Sequence, residues 1–362
     1  MKNEEVGKGR HFLLTHHAAR GILLTQKLTL SVVDQSPVRD GSTAGDALRE
    51  TIQLAVAAEK LGYQRFWVAE HHNLSGFAGT CPEIMIGQIA ARTTSIRVGS
   101  GGVMLSHYSA LKVAEIFRML ESLYPGRIDL GLGRAPGSDQ RTAAALVYPG
   151  TMRDIRHYPD QVNDLIAYLK DTVDASHPFA GVHAGPGPST TMPDMWLLGS
   201  GIDSAYLAAR RGLPFSYAYF FGVDVQHGTE IVDTYREHFQ PSELLTEPKV
   251  NIAVQVMCAE TAEEAKRLSA SRNLLRLRIV RSGRGGIPSV EEALAYPYSP
   301  QERLFLDEYS RTTVDGDPQQ VKAKLDALAQ LYQTTDLSIV TICYDFAARV
   351  RSYELVAEVC GI

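Results

Sequence analysis

A glycine–serine turn lies immediately before a helical segment. Gly199-Ser200-Gly201 is followed by Ser204 and a run of helix-forming residues. Backbone N–H groups at a helix N-terminus are unpaired and lie at the positive end of the helix dipole, so they attract anions. The glycines allow a ligand to approach the backbone, and the serines add hydroxyl donors. The turn indicates an anion site, with ordinary helix capping as the alternative.

An arginine at the end of an apolar segment is a second candidate for binding an anion. Arg134 follows the segment 128–132 and is preceded by Gly133. A guanidinium group can bind phosphate in a forked, two-bond geometry. A surface ion pair is the alternative. Together with the glycine–serine turn, Arg134 indicates a ligand that carries a phosphate.

Glu70, His71 and His72 could transfer protons. Adjacent residues on an extended chain point to opposite sides, so the trio is a poor chelate for one metal ion, and the HExxH spacing is absent. One imidazole near a ligand could exchange protons near pH 7. The alternative is that one histidine packs within the loop while the other is solvated. We expect no metal site.

Three glycines interrupt a β-rich segment in the sequence Gly99-Ser100-Gly101-Gly102. Glycine weakens a strand unless the backbone must approach something closely or adopt an unusual conformation. Both a bulge in the sheet and a planar ligand lying against the backbone explain the glycines, and both remain open at this point.

The elements that position these residues form an alternating pattern from residue 28 onward. Eight β-rich segments, each followed by helical sequence, occupy 28–33, 66–69, 96–105, 128–132, 195–198, 215–219, 250–257 and 337–343. This alternation predicts parallel strands with helical crossovers, and a (β/α)8 TIM barrel of the α/β class. A doubly wound open sheet is the alternative, but it would want GxGxxG after its first strand, where residues 34–37 read DQSP. In a barrel the carboxyl ends of the strands carry the chemistry.

The length and composition fit one such barrel. The chain has 362 residues, of which 44% are hydrophobic and 21% charged, and barrels run from about 250 to more than 400 residues. We expect residues 1–26 to be a weakly ordered extension and 27–362 to be a single domain. Residues 277–310 are predicted to be a mobile insertion before the last β/α unit, because three glycines lie at 283–286.

Charge and cysteine content exclude several classes of function. The net charge is −5 with no basic run, so we expect neither a nucleic acid nor an anionic membrane as partner. No apolar run reaches the roughly 20 residues that span a bilayer. The four cysteines lie far apart without CxxC spacing, which argues against a zinc site or disulfide framework and favours a cytoplasmic location.

Four motifs, in order, resemble the bacterial luciferase-like flavin monooxygenase superfamily, and the resemblance extends from residue 28 to 362. The motifs are 66–72 (FWVAEHH), 97–105 (RVGSGGVML), 127–134 (RIDLGLGR) and 199–201 (GSG) with 211–214 (RGLP). Two positions depart from the luciferase α subunit, which has a cysteine in place of Gly133 and an acidic residue in place of Ser200. These departures argue against light emission.

The resemblance implies a barrel that binds reduced FMN delivered by a separate flavin reductase. Oxygen would add to the flavin as a C4a-peroxide and oxidise a small organic substrate, such as an aldehyde, alkane derivative or sulfur compound. The protein would shield the intermediate and orient the substrate. A homodimer or higher homo-oligomer is also implied.

Individual roles carry over by position. His71 matches the active-site histidine and Glu70 lies beside the flavin, so both are assigned to catalysis. Gly101-Gly102 corresponds to a non-prolyl cis peptide beneath the isoalloxazine ring. The cofactor-binding positions are Ser100, Gly101, Gly102, Arg134, Gly199, Ser200, Gly201 and Ser204.

Two other functions remain open on the same fold. An oxidoreductase that transfers hydride with the deazaflavin F420 would need to bind a longer acidic tail, and no further Lys/Arg cluster lies by the phosphate turn. FMN is therefore favoured. A flavin-binding protein without turnover is the third hypothesis, and the presence of Glu70 and His71 speaks against it.

Overall fold

The computed structural model describes residues 27–134, 139–187, 190–221, 225–282 and 284–362. The predicted extension 1–26 lies outside these residues. The described chain forms nine parallel strands, which are β1 (Thr29–Asp34), β2 (Arg65–Val68), β3 (Arg97–Met104), β4 (Ile128–Gly133), β5 (Asp194–Gly199), β6 (Phe215–Ala218), β7 (Val250–Cys258), β8 (Thr313–Gly316) and β9 (Asp336–Val340).

Eight of these strands close into a barrel. β1 to β7 pair as successive neighbours, and β9 pairs with both β7 and β1 to complete the ring. β8 lies outside the ring, where it pairs with the second half of β7. The predicted (β/α)8 barrel is therefore confirmed.

Helices follow the strands and cover the barrel. They are α1 (Ala44–Lys60), α2 (Pro82–Ala90), α3 (Ala110–Leu123), α4 (Gln140–Val147), α5 (Tyr158–Lys170), α6 (Ile202–Arg210), α7 (Val225–Glu237), α8 (Ala262–Ser282), α9 (Val290–Ala295), α10 (Pro300–Ser310), α11 (Pro318–Leu331) and α12 (Phe346–Cys360). Local sequence sets several starts: α1, α10 and α11 each begin with a capping box. Within the described ranges, none of the helices has the length and apolar character required to cross a membrane.

The insertion differs in its bounds from the prediction. α8 continues to Ser282, and α9, α10 and β8 follow before the last β/α unit. β8 was not predicted, because four residues are too few for a recognisable period-2 pattern. Mobility of 277–310 stays a prediction, and Gly283 lies outside the described residues.

β3 and β4 approach each other closely at two glycines. A Cβ on Gly102 would lie 2.7 Å from the Gly131 carbonyl oxygen, and one on Gly131 would lie 2.1 Å from that of Ser100. Any side chain at either position would push the strands apart. The pairing register also shifts between Ser100 and Val103, as expected for a bulge.

Buried charges close the amino-terminal end of the barrel. Arg65, at the start of β2, lies 3.4 Å from Asp129 of β4 and 3.3 Å from Asp336 of β9. Asp129 also accepts a hydrogen bond of 2.8 Å from Trp67 Nε1. These buried side chains pair with one another and occupy this end of the barrel, which leaves the opposite end for a ligand.

A second buried ion pair ties the last helix to the first strand. Arg349 of α12 donates 2.6 Å to Asp34 at the end of β1 and 2.8 Å to the carbonyl oxygen of Thr341. Both charged side chains are at most 3% exposed. Asp34 also accepts from the backbone N–H of Ser36 and the hydroxyl of Thr51. The pair thus joins the chain's final element to the loop that follows β1.

We predict that Arg349→Met lowers the free energy of unfolding by about 3–5 kcal/mol, because the Asp34 carboxylate would stay buried without its counter-ion. Urea unfolding followed by circular dichroism measures the loss.

The matched control is Arg351→Met on the same helix. Arg351 pairs with Glu260, Glu354 and Glu358 but is 41% exposed, so its loss should be about 1 kcal/mol or less. Equal losses for the two variants would show that the buried pair contributes no more than a surface network.

Candidate active site

A cavity of about 280 Å³ opens at the carboxyl-terminal end of the barrel. It lies at the opposite end from the Arg65 cluster, where barrel enzymes carry their active sites. Its lining includes every predicted site residue except Ser100, namely Glu70, His71, Gly101, Gly102, Arg134, Gly199, Ser200, Gly201 and Ser204. Loops far apart in sequence are thus brought together around one space.

Ser100 does not line this cavity. It is fully buried within β3, and its hydroxyl donates 2.8 Å to the carbonyl oxygen of Gly131. Alternate residues of a strand face opposite sides, and Ser100 precedes Gly101, which lines the cavity, so the Ser100 side chain faces away from it. The Ser100 hydroxyl instead holds β3 to β4, and a part for this residue in cofactor binding stays a prediction.

The backbone of β3 forms one wall of the cavity. The peptide bond between Gly101 and Gly102 is cis, as the resemblance implies, and both residues line the cavity. Neither carries a side chain that would keep a ligand away from the peptide plane. This wall can accept a flat ring in contact with the backbone.

The start of α6 forms the polar end. Gly201 is its N-cap, and no side chain caps the first turn. Arg134 Nη1 lies 2.9 Å from Asp203 Oδ2 in this first turn, which holds the guanidinium beside the helix N-terminus. Ser200 and Ser204 add hydroxyl groups to the same part of the lining. Backbone N–H groups, hydroxyls and a guanidinium together suit a phosphate.

Glu70 is held by several hydrogen bonds. Its Oε1 accepts from the Tyr108 hydroxyl and lies 2.7 Å from His72 Nε2, and its Oε2 accepts from the backbone N–H of Met104 at 2.9 Å. Burial and the Glu70 carboxylate raise the pKa of Tyr108, so this hydroxyl stays a donor. With both oxygens engaged, Glu70 is suited to position the end of β3 and the loop after β2.

His71 makes different contacts from His72, which bonds to Glu70. Its ring stacks on Phe77 with centroids 4.8 Å apart, and its Nδ1 is buried with no hydrogen-bond partner among the described residues. Burial, together with His72, lowers the pKa of His71 to about 4, so the imidazole is neutral at pH 7. A buried, unpaired nitrogen on a cavity wall is available to a ligand.

The remaining wall is apolar. Val33, Leu198 and Phe220 line the cavity and belong to the hydrophobic cluster at the barrel mouth. Such a lining excludes water from a bound ligand. Across the described residues, no three His, Cys, Asp or Glu side chains form a group that could hold a metal ion.

Three contributing residues were not predicted. Tyr108 binds Glu70, Phe77 stacks on His71, and Asp203 pairs with Arg134. Tyr108 lies four residues beyond the third strand and carried no motif. Only Asp203 had a signal in the sequence, since an acidic residue in a helix's first turn often interacts with the N-terminus.

The chain is similar to known proteins along most of its length. The model of the luciferase-like monooxygenase family matches residues 28–335. YwcH of Bacillus subtilis is 46% identical over 91% of this chain and 98% of its own length. An N-acetyl-S-alkylcysteine monooxygenase of the same species is 35% identical, over 91% of this chain and 98% of its own length.

The crystal structure of apo-MsnO8 is 40% identical, with a TM-score of 0.84 over 92% of this chain and 98% of that one. More distant folds include an FMN complex of a diketocamphane monooxygenase and an F420-dependent secondary alcohol dehydrogenase, with TM-scores of 0.67 and 0.61. These two are 18% and 15% identical and share the fold. The family match across most of the chain and the relatives at 35–46% identity over nine-tenths of it show that this protein belongs to the luciferase-like monooxygenase family.

Proposed function

We propose that this protein is a monooxygenase that uses reduced FMN and O2 to oxidise a small organic substrate. The observation that carries the proposal is one cavity with a wall of two glycines, Gly101 and Gly102, and an uncapped helix N-terminus beside an arginine. The first suits an isoalloxazine ring and the second suits a phosphate, which are the two ends of FMN.

The residues that would hold FMN follow from this arrangement. Gly101 and Gly102 lie against the ring, while Arg134, Ser200 and the α6 N-terminus bind the phosphate. When bound, reduced FMN supplies the electrons that activate oxygen. The apolar wall keeps water from the reacting atoms.

In this proposal, His71 transfers protons to and from groups bound in the cavity. Its neutral imidazole can accept a proton from a group bound in the cavity and then return that proton. Glu70, with both carboxylate oxygens bound, acts as a positioning residue for the wall that carries the glycines.

The lining favours FMN over F420. Arg134 is the one Lys or Arg among the described residues that line the cavity, and a longer acidic tail would require more. The N-acetyl-S-alkylcysteine monooxygenase among the relatives supports a sulfur compound as one substrate class. A separate flavin reductase, a homo-oligomer and a cytoplasmic location stay predictions.

The direct test mixes the purified protein with photoreduced FMN, admits air, and follows flavin absorbance and oxygen uptake with candidate substrates. Substrate-dependent oxygen uptake is the expected result. FMN binding without any oxygen chemistry would support a flavin-binding protein instead, and selective binding of F420 would support hydride transfer.

We predict that Arg134→Ala and Ser200→Ala each weaken FMN binding by about tenfold while riboflavin binding changes little, because each removes a charge-assisted contact to the phosphate. Fluorescence titration with the two flavins measures the difference.

Arg211→Ala provides the control. Arg211 is the C-cap at the other end of α6 and does not line the cavity, so FMN binding should stay unchanged. Equal losses for FMN and riboflavin in the Arg134→Ala and Ser200→Ala variants would refute the phosphate assignment.

The lowered pKa of His71 leads to a prediction about how the stability of the protein depends on pH. The unfolded histidine binds a proton below about pH 6.5, whereas the folded one stays neutral until a pH of about 4. The unfolded state is therefore favoured progressively as the pH falls through this window. The group's contribution to the free energy of unfolding should fall by up to about 3 kcal/mol.

Urea unfolding of the wild type and His71→Gln at pH 7 and at pH 4.5 tests this sign. The variant should lose less stability than the wild type on acidification. His157→Gln, at a side chain that is 69% exposed, should follow the wild type. Parallel curves for the wild type and His71→Gln would contradict a buried neutral imidazole.

A further inference from the structure

A second, larger cavity of about 850 Å³ lies beside the first. It is formed by the loop after β2, the start of the α4 region and the end of α8. Its lining residues are Asn73, Leu74, Ser75, Phe77, Thr80, Asp139, Ile279, Val280, Arg281 and Arg284. This size is within the range of about 300–1,000 Å³ that small-molecule sites occupy.

The two cavities share a wall. Phe77 lines the larger cavity and stacks on His71, which lines the smaller one. One hydrophobic cluster also reaches both, since Leu74 and Ile279 belong to it together with Leu198 of the smaller cavity. A molecule in the larger cavity would therefore have its apolar part next to the proposed proton-handling residue.

The smaller cavity has little room for two ligands. At about 280 Å³ it is at the lower limit for a single ligand site, so a flavin would fill it. A substrate then requires adjoining space, and the larger cavity supplies it next to His71.

Two arginines, Arg281 and Arg284, line the larger cavity. Arg281 lies at the end of α8, where its Nη1 is 2.8 Å from Glu302 and 3.1 Å from the Tyr296 hydroxyl. Arg284 follows on the connection to α9 and also lines the cavity. A pair of guanidinium groups at one rim suits a carboxylate, which arginine binds in forked geometry.

The segment that carries Arg284 is fixed at the cavity. The backbone N–H of Gly285 donates 2.7 Å to the Ser75 hydroxyl, and that of Gly286 donates 2.9 Å to Asp40. These contacts connect the end of α8 to the loops after β1 and β2. They hold Gly285 and Gly286 next to Arg284, which lines the larger cavity.

The acidic residue in the lining is engaged elsewhere. Asp139 accepts from the backbone N–H and the hydroxyl of Thr142 at 2.9 Å each, and from the Asn73 amide at 3.3 Å. Its hydrogen bonds cap the start of α4. The lining therefore holds two guanidinium groups against one carboxylate, and Glu302 beside Arg281 fixes the position of one of these guanidinium groups at the rim.

We propose that the larger cavity binds the substrate and that the substrate carries a carboxylate, which Arg281 and Arg284 recognise. Its apolar part lies against Phe77, Leu74 and Ile279 and reaches the flavin beside His71. This inference rests on the proposed function, because it takes the smaller cavity as the flavin site.

Heptanoate and heptanamide are matched probes, since they share a chain length and differ in charge. Calorimetry of the FMN-loaded protein should show heptanoate binding about tenfold more tightly than heptanamide, with the preference falling as salt rises. In the Arg281→Gln/Arg284→Gln double variant the preference should be lost. The Arg281→Lys/Arg284→Lys variant keeps the charge without the fork and should retain part of it.

Arg303→Gln is the matched control, because Arg303 is an exposed arginine on the neighbouring α10 that does not line this cavity. It should leave the preference unchanged. Equal binding of the two probes by the wild type, or a preference that survives the double Gln variant, would overturn the proposal.

The FMN affinity of the same samples separates this inference from the proposed function. The double Gln variant should bind FMN within about twofold of the wild type, since the arginines lie outside the flavin cavity. If the wild type failed to bind FMN, the proposed function would fail. The two probes titrated into flavin-free protein would then still test the carboxylate site.

Discussion

Gly102 and Gly131 bring the backbones of β3 and β4 within a distance that no side chain could occupy. The architecture of the mouth follows from this contact. It places the Gly101–Gly102 peptide at the cavity surface, where the carboxyl ends of the neighbouring strands deliver Arg134 and the Ser200 turn. The hydroxyl of Ser100 reinforces the contact from the opposite side of β3. A larger residue at this point would displace the Gly101–Gly102 wall of the cavity together with Arg134 and the Ser200 turn.

Polar groups at the mouth of the barrel lack partners that a ligand could supply. The Nδ1 of His71 is buried with no hydrogen-bond partner among the described residues, and no side chain caps the first turn of α6. At the amino-terminal end, Arg65 and Asp129 form a buried ion pair, although Arg65 Nε makes no hydrogen bond among the described residues. Unpaired buried groups are costly, and a ligand at the mouth could recover that free energy for His71, because the cavity reaches both His71 and the start of α6.

The parts of the site that the sequence predicts are those carried by strand ends. Arg134, Ser200 and His71 each follow a recognisable strand, and a barrel brings all strand ends to one face. Tyr108 and Phe77 could not be predicted in the same way, because their contacts depend on how loops fold over that face. Ser100 illustrates a second limit of prediction from sequence. The alternation of residues along a strand decides which side each side chain faces, and the bulge in β3 interrupts that alternation.

How well a helix or strand could be predicted depended on its length. Long amphipathic helices such as α3 carry enough periodic positions to fix both ends, whereas the four residues of β8 do not. α8 extends into the segment 277–310 that was predicted to be a mobile insertion, and its last residues form one wall of the larger cavity. Sequence periodicity reports which face of an element is buried. It does not report which exposed charges line a cavity.

We propose that the smaller cavity holds FMN, with its ring on the Gly101–Gly102 peptide and its phosphate at the start of α6. A crystal structure of the FMN complex is the most direct test. We expect the phosphate within hydrogen-bonding distance of Arg134 and Ser200, and the isoalloxazine ring in contact with the two glycines. A flavin bound in the larger cavity, or one whose phosphate lies away from α6, would refute this binding mode.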